Sequence, residues 1–523
     1  MQQVGAVQWL VSLAPVAVLF AAIALARVRV SVAGVLGLAV TLVSAALLGT
    51  LSPESLWQGT SSGLASALSI MYAVCPAMVL YDVMRESGAF DVVRAFVCGL
   101  SGDRLALVLF FGWVFSSFLQ SVTGFGVPVA VCAPFLVALG LRPVPAVVLT
   151  LVGHSWANTF GTLAMAWDAL VDMGPVGDVA STSLVACALL WLLNLSAGVI
   201  ICALYAGARG VRHGLALVLS MSTIMGGGQL LVGQANQTIA AFVPTAAAVV
   251  ACVALFRAGA YARPWRCESR MDAAEPPAPA GGRAAVGATA GGRGGAVSLA
   301  DLAVCASPFA VLAVLSALVF AVPAVWGLLS PVSVGGVRLV CHAGFVLTLT
   351  CLYCALAMRL SGRIDTARMR AAASVALSRL TGVFASVVML VVMARLMQTT
   401  GQMDALASGV ALAAGAAYVP LAPALGTLGA FVTSSNMSSN ILLAGFQSQM
   451  ADRLSVDPSY LLAGQTAGAA AGAAIGPSTI LLGATTADAA GHEGEILRPL
   501  LVVSCVQALA LGAILAGVVA LAG

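Results

Sequence analysis

Residues 121–128 read SVTGFGVP and residues 433–440 read TSSNMSSN, and each interrupts a long apolar run. Gly, Thr, Ser and Asn placed there need an explanation, because the rest of the chain is built for hydrocarbon. Of 523 residues, 61% are hydrophobic and 8% charged, with a mean hydropathy of +1.05. Apolar stretches of about 18–25 residues recur from end to end, long enough for helices to cross a bilayer. Strand-period alternation is absent, which argues against a barrel. The expected fold is an all-α polytopic membrane protein embedded in the lipid bilayer. About 12 transmembrane helices and two re-entrant hairpins are expected, arranged as inverted repeats.

The arginines set the orientation. All 23 basic residues are Arg, and residues 257–298 carry six of them in a Gly-, Ala- and Pro-rich stretch that reads as a disordered cytoplasmic linker. It divides an N-terminal half, 1–256, from a C-terminal half, 299–523. Arg27, Arg29, Arg85, Arg94, Arg104, Arg142, Arg209, Arg212, Arg359, Arg363, Arg368 and Arg370 belong on that same side. The spacing then predicts helices over about 9–26, 30–50, 63–84, 143–165, 180–206, 214–233, 238–256, 299–320 and 337–358. Between Arg104 and Arg142 the chain must leave the cytoplasm and return within 37 residues, with SVTGFGVP at the midpoint. Two full spans would consume nearly all of them at about 20 residues each, so a hairpin whose tip lies inside the membrane is the economical solution.

The second interruption is related to the first. VMRESGAFDVV (83–93) aligns with LMQTTGQMDAL (396–406) at an offset of 313, which matches Gly88 to Gly401 and Asp91 to Asp404. The same offset lays SVTGFGVP over SSNMSSNI; two residues later in register, LGLRP (139–143) lies over LSVDP (454–458), and Gly153 and Gly161 match Gly468 and Gly476. Repeat units of about 63–172 and 380–487 follow, separated by an odd number of spans, so the second is inverted. Inverted repeats with broken membrane elements are the architecture of secondary transporters.

A hairpin tip leaves backbone N–H and C=O groups without helical partners, which is tolerated at membrane depth only where the backbone lines a cavity or meets protein or ligand. Helix N-termini there suit a small anion. Thr123, Gly124, Phe125 and Gly126 from the first tip, and Ser435, Asn436, Ser438, Ser439 and Asn440 from the second, are the candidate substrate-binding residues. His154 falls about 11 residues into its helix, roughly 16 Å deep, where it could bond the anion or carry a coupling proton. Asn158, Gln465 and the Pro477 break extend the set. Asp82 and Arg395 occupy matched repeat positions, and a two-fold packing could join them as an ion pair for coupling. Asp168, Asp172 and Asp178 read as loop residues. The expected ligand is a small carboxylate with a hydroxyl and a short apolar body, carried with protons; sodium coupling is the alternative.

No cofactor, metal or nucleic-acid site is expected. Cys351 and Cys354 form a CxxC without further ligands and read as packing. The four His are far apart, and neither HExxH nor a P-loop occurs, against an enzyme. A homo-oligomer is compatible with this reading.

QSVTGFGVPVAVCAPFLVALG (120–140), GHSWANTFG (153–161), FVTSSNMSSN (431–440) and GHEGEILRP (491–499) together resemble the lactate permease family of bacterial carboxylate transporters. The resemblance spans nearly the whole chain apart from the linker and first helix. It implies proton-coupled uptake of L-lactate, and of D-lactate or glycolate, across the cytoplasmic (inner) membrane of a bacterium, with Thr123–Val127 and Ser434–Asn440 on the family's characteristic stretches. Two departures from the family pattern, at His154–Ala157 and Pro477–Thr479, fall where the substrate should sit.

Overall fold

The computed structural model describes residues 6–265, 269, 271–273, 297–334 and 337–522. Helices α1 (Ala6–Ala24) and α2 (Val30–Leu47) lead to α3 (Pro53–Glu86) and α4 (Ala89–Cys98). The first hairpin follows: α5 (Arg104–Leu109), a wide π-helical turn at 110–115, α6 (Ser116–Val122), then the return arm α7 (Val127–Ala138). Helix α8 (Pro143–His154) tightens to a 3-10 turn at 155–158 and breaks before α9 (Gly161–Met173). Helix α10 (Val179–Ser222) folds back on itself at Gly207, and α11 (Gly228–Ala235) and α12 (Phe242–Arg257) close the first half. The second half comprises α13 (Leu299–Ser316), α14 (Pro323–Leu329), a two-residue ladder of β1 (Ser333–Val334) and β2 (Val337–Arg338), and α15 (Ala343–Leu360). Then come α16 (Thr366–Thr399), α17 (Gln402–Ala414), the second hairpin of α18 (Ala422–Thr433) and α19 (Asn436–Leu454), α20 (Pro458–Ala473), α21 (Pro477–Thr486) and α22 (Glu493–Ala522).

Among the described residues, 11 helices are long and apolar enough to cross a membrane. The difference from about twelve lies partly in Val179–Ala235, a 57-residue helical stretch that counts once although it reverses at Gly207. Helix α3 starts ten residues before its expected position. Ser52 and Ser55 form a capping box and Pro53 supplies a preset φ, so the helix nucleates there regardless of hydropathy. The helix expected over 143–165 is instead two, split at 155–160.

The repeat is present in the geometry. Helices α3 and α16 are both 34 residues long. Each ends on a left-handed glycine, Gly88 at φ 70° and Gly401 at φ 73°, that turns the chain into the next helix. The two long helices pack antiparallel: a Cβ on Gly63 would lie 2.9 Å from Val392 Cα. Nearer the start of α3 a Cβ on Gly59 would lie 2.6 Å from Leu396 Cδ2, and near its end Asp82 accepts from Arg379 at 3.5 Å. The partner number falls as the α3 number rises, as inversion requires.

Both ends of the first hairpin lie on one side. A Cβ on Gly140 would stand 2.6 Å from the Arg104 guanidinium. The start of the expected linker binds them: Arg104 N–H donates to Trp265 O at 3.4 Å, Arg142 N–H to Met271 O at 2.8 Å, and Arg104 pairs with Asp272 at 3.2 Å. His213 stacks on Trp265 at 4.2 Å and meets Asp103 at 2.5 Å. The described residues up to Ala273 are therefore fastened to the ends of the first hairpin; residues 266–268, 270 and 274–296 of the expected linker lie outside the described residues.

Candidate functional site

The two tips meet. A cavity of about 320 Å³ lies between Phe125 and Gly126 of the first hairpin and Thr433–Met437 of the second. Its walls are completed by Gln120, by His154 and Asn158 at the end of α8, by Gly161–Thr162 and Met165–Ala166 of α9, by Ser478, Thr479 and Leu482 of α21, and by Met78 of α3 and Arg379 and Val383 of α16. This volume is within the range that holds a small ligand.

The backbone around the cavity is held in an uncommon conformation. At the first tip Gly124, Phe125 and Gly126 have φ of 59°, 48° and 80°, and in α9 the run Thr162, Leu163 and Ala164 has 50°, 51° and 67°. Left-handed non-glycine residues cost roughly 1–2 kcal/mol each, so the surrounding packing must impose them. The two strained runs touch: a Cβ on Gly124 would come 2.2 Å from Thr162 Oγ1, so only glycine fits there. At the second tip Ser434 is left-handed at φ 58° and Ser435 caps α19 by accepting from Ser438 N–H at 3.2 Å. Ser434 Oγ in turn accepts from Ser478 N–H at 3.1 Å, which joins the tip to the N-terminus of α21. Helices α7, α19 and α21 thus all begin at the cavity.

Six of the expected binding residues line it: Phe125, Gly126, His154, Asn158, Ser435 and Asn436. His154 is buried, with Nδ1 2.6 Å from Thr150 O. A carbonyl only accepts, so Nδ1 carries the proton and Nε2 of the neutral ring is an acceptor. Asn158 accepts from Gln120 Nε2 at 2.8 Å. Asn436 Nδ2 donates to Thr159 Oγ1 at 3.0 Å and to Thr466 O at 3.3 Å, tying the tip to both broken helices.

The other candidates stand behind the wall. Thr123 is buried and donates to Leu119 O at 2.8 Å. Gly124 packs on Thr162, and Ser438 sits a turn into α19. Ser439 donates to Gly426 O at 3.0 Å and accepts from Gln465 Nε2 at 3.0 Å; Gln465 accepts from Gln447, which accepts from Tyr418 at 2.7 Å. Asn440 Nδ2 donates to Ala166 O at 2.8 Å and Thr466 Oγ1 at 3.0 Å. These groups cross-brace the second hairpin against α9 and α20.

Asp82 and Arg395 do not pair with one another. Antiparallel packing puts matched positions at opposite ends of the α3–α16 contact, so each takes a different partner. Asp82, fully buried, lies 3.4 Å from Arg85 and 3.5 Å from Arg379. Arg395 lies 2.6 Å from Asp172, which is therefore a helix residue in an ion pair and not a free loop residue. Among the described residues Arg379 is the single charged side chain on the cavity wall, and with Gln120 and Thr162 it escaped the sequence reading. It sits one residue before the expected start of its repeat unit, where an arginine looks interfacial.

A family profile described as L-lactate permease matches residues 8–330 and 299–522. An L-lactate permease of Streptococcus iniae is 24% identical over 470 residues, 87% of this chain and 93% of that one. One from Halalkalibacterium halodurans is 31% identical over 180 residues, 34% of each chain. The glycolate permease GlcA of Escherichia coli strain K12 is 31% identical over 157 residues, 30% of this chain and 28% of its own. The solved YdaH transporter of Alcanivorax borkumensis superposes with a TM-score of 0.49 at 15% identity, over 94% of this chain and 98% of that chain. With the profile covering both halves, this multi-pass bacterial membrane protein belongs to the L-lactate permease family.

Proposed function

We propose that the protein takes up L-lactate, with D-lactate and glycolate as related substrates, by proton symport across the cytoplasmic membrane. The observation that carries this reading is the cavity between two hairpin tips with one guanidinium, Arg379, on its wall. A carboxylate paired with Arg379 gains a charge-assisted, two-point contact. The Nε2 of His154 is an acceptor, which suits the 2-hydroxyl of a hydroxy acid as donor, and Asn436 and Ser435 add neutral partners. Phe125, Met78 and Met165 face the short apolar body. The names of the relatives, L-lactate and glycolate permeases, favour the same class of substrate.

Coupling follows from charge balance. Asp82 is shared between Arg85 and Arg379, and its Oδ2 is buried without a hydrogen-bond partner among the described residues. The other charge beside it is Glu86, with the Tyr81 hydroxyl nearby, both from its own helix. When a substrate carboxylate takes Arg379, Asp82 loses half of its counter-charge and binds a proton, so an anion and a proton cross together. His154 serves as substrate ligand in this scheme, and Arg395 acts outside the cavity.

The test is uptake of labelled L-lactate into proteoliposomes under an inward proton gradient or an inward sodium gradient. Uptake driven by the proton gradient and inhibited by glycolate supports the proposal. Uptake that needs sodium and ignores the pH gradient removes the proton assignment, and no saturable uptake of any hydroxy acid removes the substrate class.

A further inference from the structure

The two repeats are not treated alike at the two ends of the cavity. At the end away from the arginine-rich loops, the C-terminus of α9 is fastened to α16. Arg395 pairs with Asp172 at 2.6 Å, and Gln398 Nε2 donates to Met173 O at 2.6 Å. Helix α19 closes on the same point, where a Cβ on Gly445 would stand 2.4 Å from Gln398 Nε2. Helix α9 packs along α3, and α19 along α16.

The repeat relation says what should stand at the other end. Gln398 corresponds to Arg85 at the offset of 313, and Met173 to Asp488 at the offset of 315 that holds after the hairpin. The counterpart of the closed fastening is thus a pair of opposite charge, at the ends of α3 and α21, on the side of the arginine-rich loops. In this structure the pair is open. Arg85 bonds within its own helix, to Asp82 at 3.4 Å and Glu86 at 3.0 Å. Asp488 is exposed just past the end of α21, with no side-chain partner among the described residues. Nor does α3 pack along α7, or α16 along α21, to the extent of the opposite end.

We propose that this structure is the cytoplasm-facing state, and that Arg85 and Asp488 form the cytoplasmic gate that closes when the cavity turns outward. Two inverted repeats that exchange conformations generate two mirror-related states, so the latch formed in one is the open pair of the other. An exposed Arg–carboxylate pair is weak enough to open and reform in every cycle. Each latch takes one residue from each repeat: Arg85 and the Asp488 carboxylate at the cytoplasmic end, Gln398 and the Met173 carbonyl at the outer end. This inference rests on reading the chain as an alternating-access carrier, and not on which anion it carries.

Paired cysteines test it in native membranes. Arg85→Cys with Asp488→Cys should cross-link through a short bifunctional maleimide when the carrier faces outward, and Gln398→Cys with Met173→Cys should do so when it faces inward. Neither single variant should cross-link, and locking the Arg85/Asp488 pair should stop transport. Failure of the Arg85/Asp488 pair under every substrate and pH condition, with the Gln398/Met173 pair cross-linking, overturns the gate whether or not lactate is the substrate. Asp488→Asn gives a second reading that leaves the Arg85–Asp82 pair in place: it should slow turnover at saturating substrate about tenfold, and Asp488→Glu should recover it. Turnover equal to wild type in Asp488→Asn also overturns the proposal.

Discussion

Gly153 and Gly468 occupy matched repeat positions and meet the same constraint. A Cβ on Gly153 would lie 1.8 Å from Gly112 O, and one on Gly468 would lie 1.9 Å from Pro423 O. Each is where a crossing helix touches the backbone of a hairpin arm, and backbone cannot step aside as a side chain can. Gly153→Ala or Gly468→Ala should therefore lower the yield of folded protein and its thermal midpoint far more than Gly382→Ala, where a Cβ meets nothing within 4 Å. A fluorescence-detected melting series on the three variants checks this. Arg379 makes the opposite kind of prediction, in binding and not folding. Losing a charged hydrogen bond costs about 1.5–3 kcal/mol, so Arg379→Gln should weaken lactate binding by about 10- to 100-fold with little change in melting. Arg379→Lys should recover only part, because an ammonium lacks the two-pronged geometry. Measured affinity equal to wild type in Arg379→Gln would remove the guanidinium from the site. The matched glycines were legible as an alignment, but their reason, backbone against backbone, was not. Likewise Ser439, Asn440 and Gln465 were legible as polar groups needing partners. Whether a partner is ligand or protein depends on which way a helix face turns, and a polar residue in an apolar run says nothing of that.

Each repeat breaks twice, once at a hairpin tip and once in the helix after it. The tips were legible because Gly, Ser and Asn in apolar runs announce unpaired backbone. The α20–α21 break was legible from Pro477, which cannot continue the ladder of the preceding turn. Its mate between α8 and α9 was not, since Trp156–Leu163 holds no proline and its apolar residues read as continuous helix. The break there is enforced by packing: Trp156 Nε1 donates to Ser117 Oγ at 2.9 Å and Asn436 pulls on Thr159, while Thr162–Ala164 take left-handed angles. Glycine in a helix interior ordinarily costs about 1 kcal/mol relative to alanine. At a left-handed site the sign reverses, so Ala164→Gly should stabilise the protein by about 1 kcal/mol, whereas the same change at Ala186 in α10 should destabilise it. Chemical-denaturation midpoints would decide, and equal losses at both positions would mean that the left-handed turn is absent in solution. Asn436→Ala should fail differently: it frees Thr159 and Thr466 together, so uptake should fall at least tenfold with a stability loss of about 1–3 kcal/mol.

At the level of the whole molecule, inversion was legible from the count of spans between two matched stretches, because an odd number turns the second over. What no sequence alignment carries is the departure from symmetry, since the two repeats differ in state as well as in residues. The outer end of the cavity is sealed by α9 and α19 on the α3–α16 pair, while Ser478 and Arg379 at the other end are exposed. An aqueous path must then reach Ser478 from the side of Arg104, Arg142 and Arg359. A cysteine at Ser478 should react with a membrane-impermeant maleimide in inside-out vesicles at least about tenfold faster than in right-side-out vesicles. Among the described residues seven of the native cysteines are buried, and a Ser478 parent control subtracts the labelling of the others. Excess L-lactate should protect Ser478→Cys, because the substrate would lie against the N-terminus of α21. Equal labelling from both faces would describe a pore, and the two-state carrier would be excluded. Labelling only from the outer face would invert the assigned orientation while leaving the site intact, because tips, cavity and Arg379 are fixed by packing and not by which compartment they meet.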